Sequence, residues 1–169
     1  SDPDAAVYYL ARMLYAGEDV KFIARRIMIL ASEDIGNADP MAMVVASACA
    51  QEVERVGMPE AQLILAQAVT YMASAPKSNA SCEAIFKAMR VVKETKTPPV
   101  PTHLQDAHYK SAEKLGHGLG YKYAHDYPNH YVKQQYLPDG LTDQVFYEPT
   151  DIGYEKQIRE YFKKIKEES

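Results

Sequence analysis

The first 95 residues of this chain hold five apolar repeats at 3–4-residue spacing, each bounded by residues that start or stop helices. Asp2 is placed to cap the first, with Pro3 at the position where a missing N–H costs nothing. Ala6, Tyr9, Leu10, Met13 and Leu14 follow at that spacing, and Gly17 ends them. A second helix is expected from about Asp19, with Ile23, Ile27 and Leu30 on one face and Gly36 near its end. Asp39 and Pro40 repeat the cap-and-proline start for a third, whose stripe reads Met41, Val44, Val45, Ala48, Cys49, Val53 and Val56 before Gly57. Pro59 opens a fourth, with Ala61, Ile64, Leu65, Ala68, Val69 and Met72 facing one way until Pro76. Ser78 or Asn79 caps a fifth, with Ile85, Ala88, Met89 and Val92 as its stripe. Connections this short set neighbouring helices antiparallel or steeply crossed, so the expected fold class is all-α, a helical bundle or array. Alanines at 42, 46, 48, 50, 66, 68, 73 and 75 let helix axes approach closely. Tight intramolecular packing is the simpler use for them, and a subunit interface is the other.

After Thr95 the texture changes. All five histidines, nine of thirteen tyrosines and six of ten prolines lie there, whereas acidic and basic residues stay nearly balanced on both sides. The break is therefore one of structure type, dividing a five-helix core (1–95) from a Pro/Tyr-rich extension (96–169) expected to pack on the same domain. Thr97–Pro101 cannot be helical and should run extended. A short helix is expected over Ser111–Leu115, ended by Gly116, and a short strand or hairpin arm over Gln144–Tyr147. Between Gly118 and Pro149 no period is sustained, so order there should come from tyrosines stacked on the helices. A last helix, Asp151–Glu168, has Tyr154, Ile158, Tyr161, Phe162 and Ile165 on one face. Its other face, with Glu155, Lys156, Arg159, Glu160, Lys163 and Lys164, reads as solvated.

Composition then bounds the function. With 47% hydrophobic and 25% charged residues over 169 positions, the chain can build a core, and no apolar run is long enough to span a bilayer. The acidic start argues against a leader peptide and two cysteines against a disulfide framework, so a cytoplasmic setting is expected. No Gly-x-x-x-x-Gly-Lys-Ser/Thr loop occurs. Gly116, Gly118 and Gly120 fail as a dinucleotide fingerprint because position 121 is Tyr and no strand precedes. His117, His125 and His130 with Asp126 invite a metal test, but both cysteines are distant in sequence, and histidines held beside tyrosines are the better reading. Cys49 and Cys82 read as small buried residues rather than nucleophiles. Glu33 and Asp34 diverge on a helix and read as its polar end. No catalytic, cofactor-binding or metal-ligating set emerges. Lys110, Lys114, Lys122 and Lys133, interleaved with Tyr109, Tyr121, Tyr123, Tyr127 and Tyr131, have the cation-plus-ring chemistry of single-strand binders. At a net charge of −4 the same composition fits, better, a tyrosine segment glued to a core with its lysines in water.

Five blocks in register carry a resemblance: Ala31–Gly36 (ASEDIG), Ala75–Ala80 (APKSNA), Pro99–Leu104 (PVPTHL), Gly120–Pro128 (GYKYAHDYP) and Gln134–Pro138 (QQYLP). Together they resemble the C-terminal region of the MgsA/RarA replication-associated recombination ATPases, whose eukaryotic relative is the Werner-helicase-interacting ATPase. The resemblance runs from Asp2 to about Gly153. It implies a helical domain like the clamp-loader collar, through which family members assemble as homotetramers, in a DNA replication and repair protein that acts at stalled forks. It implies a nucleoid-associated protein with DNA and replication proteins as partners of the full-length form. It also implies that ATP and Mg²⁺ belong to an N-terminal ATPase region, since those motifs do not occur in this sequence. This chain would then be an oligomerisation domain and not itself an enzyme. The alternative is a DNA- or protein-docking module using segment 109–136, with Lys122, Tyr123, His125, Asp126, Tyr127, Gln135 and Tyr136 as the candidate surface.

Overall fold

A computed structural model describes residues 1–106 and 115–167. Among them the regular structure is helical throughout: α1 (Pro3–Tyr15), α2 (Val20–Leu30), α3 (Met41–Val56), α4 (Ala61–Ser74), α5 (Ala80–Glu94) and α6 (Tyr154–Glu167), with short 3₁₀ turns and one π turn. The helix starts follow their caps. Asp2 accepts the Ala5 amide at 3.0 Å, Asp19 that of Lys21 at 3.0 Å, and Asp39 that of Met41 at 3.1 Å. Ser78 Oγ accepts from the Ala80 amide at 3.2 Å and so caps α5. The second helix departs from expectation, because α2 stops at Leu30 and the chain continues through a π turn, Ala31–Ile35, into a 3₁₀ turn, Gly36–Ala38. Gly36 sits at φ +51°, and a Cβ there would lie 2.9 Å from the Ser78 carbonyl oxygen, so the turn requires glycine.

The chain forms two compact units, Ser1–Phe86 with Tyr147–Arg159, and Lys87–Phe146 with Glu160–Ser169. In the first, α4 packs on α1 and α3, and α2 packs on α3. Ile23, Ala24, Ala42, Ala46, Leu65 and Ala68 belong to its core. Fully burying a side chain the size of Leu65 stabilises the fold by about 2 kcal/mol. The inward face of α3 keeps Cys49 and Val53 of the expected stripe but at the start of the helix lies one residue later than expected. Ala42, Ala46, Cys49 and Val53 are buried, while Met41 and Val44 are 53% and 59% exposed. Small residues inside bring helix axes close together, and the bulkier side chains are left outside.

In the second unit, the segment after Gly116 runs through 3₁₀ turns at Ala124–Asp126 and Pro128–His130 without regular structure. Gln144–Tyr147 is not a strand. Among the described residues there is no strand for it to pair with, and extended backbone alone does not make a sheet. The helix expected over Ser111–Leu115 lies outside the described residues except for Leu115.

Candidate interaction surfaces

The seven residues singled out as a candidate surface, Lys122, Tyr123, His125, Asp126, Tyr127, Gln135 and Tyr136, are all exposed in the second unit. They fall into two local groups. The Tyr123 ring lies 5.0 Å from the His125 ring, which lies 4.8 Å from that of His130. Asn129 and His130 hold positive φ, and the resulting tight turn places His130 beside His125. Gln135 belongs to a different network. Its carbonyl oxygen is 2.9 Å from His103 Nε2, and its side-chain amide donates to Leu137 O and Asp139 Oδ1, both at 2.9 Å. Tyr136 donates its hydroxyl to Val132 O at 2.7 Å, with its ring still half exposed. The expectation that these tyrosines are glued down is corrected: Tyr121 is 61% and Tyr123 54% exposed, and the one buried residue between Gly120 and Tyr136 is Val132. The rings stand outside, so sequence spacing carried no burial signal. No set of three or more ligand-type side chains converges on a metal position among the described residues.

A larger apolar surface lies on α5. Cys82, Ala84 and Ala88 are half-buried, but no residue of this 15-residue helix is fully buried. Ile85, Phe86, Met89 and Val92 are between 46% and 57% exposed. The stripe expected to face the core is thus largely exposed, and the half-buried positions are among the helix's smaller residues. Cys82 is not the buried small residue expected from its spacing. Burial, then the charges of Glu33, Glu83 and Asp34, push its thiol above its ordinary value, and burial alone does so for Cys49. Neither thiol is activated as a nucleophile. Glu33 and Asp34 stand exposed on the π turn.

One polar centre gave no signal in the sequence. Glu155, expected on the solvated face of the last helix, is completely buried in the first unit. Its Oε2 accepts from Ser78 Oγ, the Thr150 amide and Thr150 Oγ1, each at 2.8 Å, and its Oε1 accepts from Tyr147 Oη at 3.1 Å. Asn37 Nδ2 donates to the same tyrosine oxygen at 3.3 Å. Burial pushes this carboxyl up, but the bonds from Thr150, Ser78 and Tyr147 outweigh it and hold the group below its ordinary 4.5. Gly153, at φ +57°, lies so close to Ala38 that a Cβ would collide with its carbonyl oxygen and stand 3.0 Å from Pro76 Cγ. Glu155 therefore clasps the returning segment to two turns of the helical core. Ser78, Thr150 and Tyr147 all donate to it, so the carboxylate is satisfied from within the first unit and ties its segments together.

Among the described residues, an alanine-lined helical core with many large apolar side chains left at the surface defines an all-α domain. The model of the MgsA AAA+ ATPase C-terminal family matches residues 1–166. The chain is 58% identical over 94% of its length to an uncharacterised AAA-domain-containing protein of Mycobacterium tuberculosis, covering 35% of that protein. It is 45% identical over 98% of its length to replication-associated recombination protein A of Bacillus subtilis, covering 39% of it. It is also 39% identical over 88% of its length to the ATPase WRNIP1 of Dictyostelium discoideum, covering 17% of it. The chain belongs to the MgsA/RarA family of AAA+ ATPases and corresponds to its C-terminal helical domain. It spans little more than a third of the bacterial relatives named here. No helix among the described residues is long and apolar enough to cross a membrane.

Proposed function

We propose that this domain assembles its ATPase into a homotetramer that acts in DNA replication and recombination at stalled forks, with ATP and Mg²⁺ held elsewhere in the full-length protein. The observation that supports assembly is α5, whose apolar residues Ile85, Phe86, Met89 and Val92 stay about half exposed among the described residues. An amphipathic helix left uncovered exposes contiguous apolar surface, which marks association sites in soluble proteins. The replication role rests on the names of the relatives and on the family. A cytoplasmic, nucleoid-associated setting follows from that role. Light scattering over a range of concentrations and salt tests assembly directly: a mass near four chains supports it, and a monomer throughout contradicts it.

A second reading has its own observation. Tyr121, Tyr123 and Tyr127 present exposed rings beside Lys122 and His125. Bases stack on such rings while cations meet phosphates. Single-stranded DNA binding that weakens with salt and with Y123A would support a docking role. Binding unchanged by Y123A would remove that segment from the reading.

A further inference from the structure

His125 and His130 stand side by side on the surface of the second unit, their ring centres 4.8 Å apart and their planes tilted by 52°. Stacked rings lie offset and parallel or edge to face, so ring packing alone does not account for this tilt. Among the described residues no hydrogen bond engages either ring, whereas His103 has its Nε2 against the Gln135 carbonyl oxygen. The pair keeps its ring nitrogens free and open to solvent.

The backbone is bent to bring the two rings together. Ala124–Asp126 and Pro128–His130 are successive 3₁₀ turns, and Asn129 and His130 hold φ of +53° and +51°. Consecutive non-glycine residues in the left-handed region cost free energy, and such conformations gather where side chains are aimed at ligands.

The ring separation is the decisive observation. An imidazole nitrogen binds a transition-metal ion at about 2.0–2.1 Å, which puts the centre of its ring about 3.2 Å from the ion. With about 90–110° between two such bonds, the ring centres lie about 4.5–5.2 Å apart. The observed 4.8 Å falls inside that range. No third ligand-type side chain joins the pair among the described residues, so water would complete the coordination. Of the exposed charges on this stretch, Lys122 opposes a cation and Asp126 favours it. Ligation by imidazole, rather than the local field, must therefore hold the ion.

We propose that His125 and His130 form an open two-histidine site for a divalent transition-metal ion of the nickel, copper or zinc class. Imidazole suits these ions, whereas magnesium and calcium take oxygen ligands. The bound ion pins the Pro128–His130 turn to the Ala124–Asp126 turn. It also fixes the His125 ring, which lies 5.0 Å from the exposed ring of Tyr123. The site uses no residue of α5 and does not depend on assembly.

The probe is Ni²⁺, titrated calorimetrically into the untagged 169-residue chain. One ion per chain is expected, and excess Mg²⁺ should not displace it. H125N and H130N should each weaken binding by about tenfold or more, and the double variant should bind no tighter than either. Asparagine tolerates positive φ and so preserves the turn at position 130, which circular dichroism checks. H117N should bind as the wild type does. In the wild-type chain, the paramagnetic ion should broaden the ring-proton signals of His125 and His130 before those of His103, a readout that needs no substitution. Failure of the wild type to bind Ni²⁺ overturns the proposal. So does binding that H125N and H130N leave unchanged, or broadening that begins at another histidine, either of which marks an adventitious ion only.

Discussion

Two neighbouring helices of similar length have opposite fates in this molecule. The 14-residue α4 buries Ala61, Leu65, Ala68 and Met72 at the centre of the first unit. The 15-residue α5, with an apolar stripe just as regular, buries none of its residues fully. Periodicity in both sequences states that one face avoids water, and it says nothing about which molecule covers that face. The difference separates side chains that hold the first unit together from side chains left at the surface, which the proposed assembly would use.

That contrast is broken or sharpened most strongly by substitutions on either side of it. Leu65→Ala in α4 should destabilise the fold by about 3 kcal/mol, measured by chemical denaturation, because it empties a site with no access to water. Glu155→Ala should cost about as much, roughly 3 kcal/mol, since buried Ser78 and half-buried Thr150 and Tyr147 would all lose their acceptor at once. The double substitution I85S/M89S on α5 should change monomer stability by no more than about 0.5 kcal/mol while lowering the measured solution mass. A large loss of stability with unchanged mass would place that stripe on the wrong side of the comparison.

The smallest expected effect is one of pH. Glu155 is held below its ordinary value of 4.5, so the folded state favours its ionised form. Its contribution is fully present above that ordinary value and is lost as pH falls through the lower, folded value. Thermal midpoints should therefore be insensitive to this group between neutral pH and about pH 5.5 and fall in acid. In Glu155→Gln the acid slope should be shallower, from a lower starting stability.

What the sequence makes legible here is local. The caps at Asp2, Asp19 and Asp39 and the stop at Gly17 depend on residues one to four positions away, and the helices begin and end near them. The phase of α3 was legible at Cys49 and Val53 but not at its start, because Ala42 and Ala46 on one side and Met41 and Val44 on the other are all apolar and only packing against α2 and α4 selects the smaller pair. Glu155 was hidden for a similar reason: Ser78 lies 77 positions earlier, and a lone glutamate on an amphipathic helix looks solvated until that partner is known. The surface of Tyr121 to Tyr127 was legible as chemistry, cations among rings, but its exposure was not, since tyrosine is stable on either side of a protein surface. The family blocks supply the class that local physics leaves open, for no spacing of apolar residues distinguishes one helical domain from another.

The most direct measurement is the solution mass of the wild-type chain by light scattering across a hundredfold range of concentration, beside that of I85S/M89S. A wild-type mass near four chains, falling towards one in the α5 variant while its circular dichroism is retained, is the predicted result. A wild-type monomer at the highest concentration, or a variant that keeps the wild-type mass, would contradict the claim that α5 is covered by another copy of this chain.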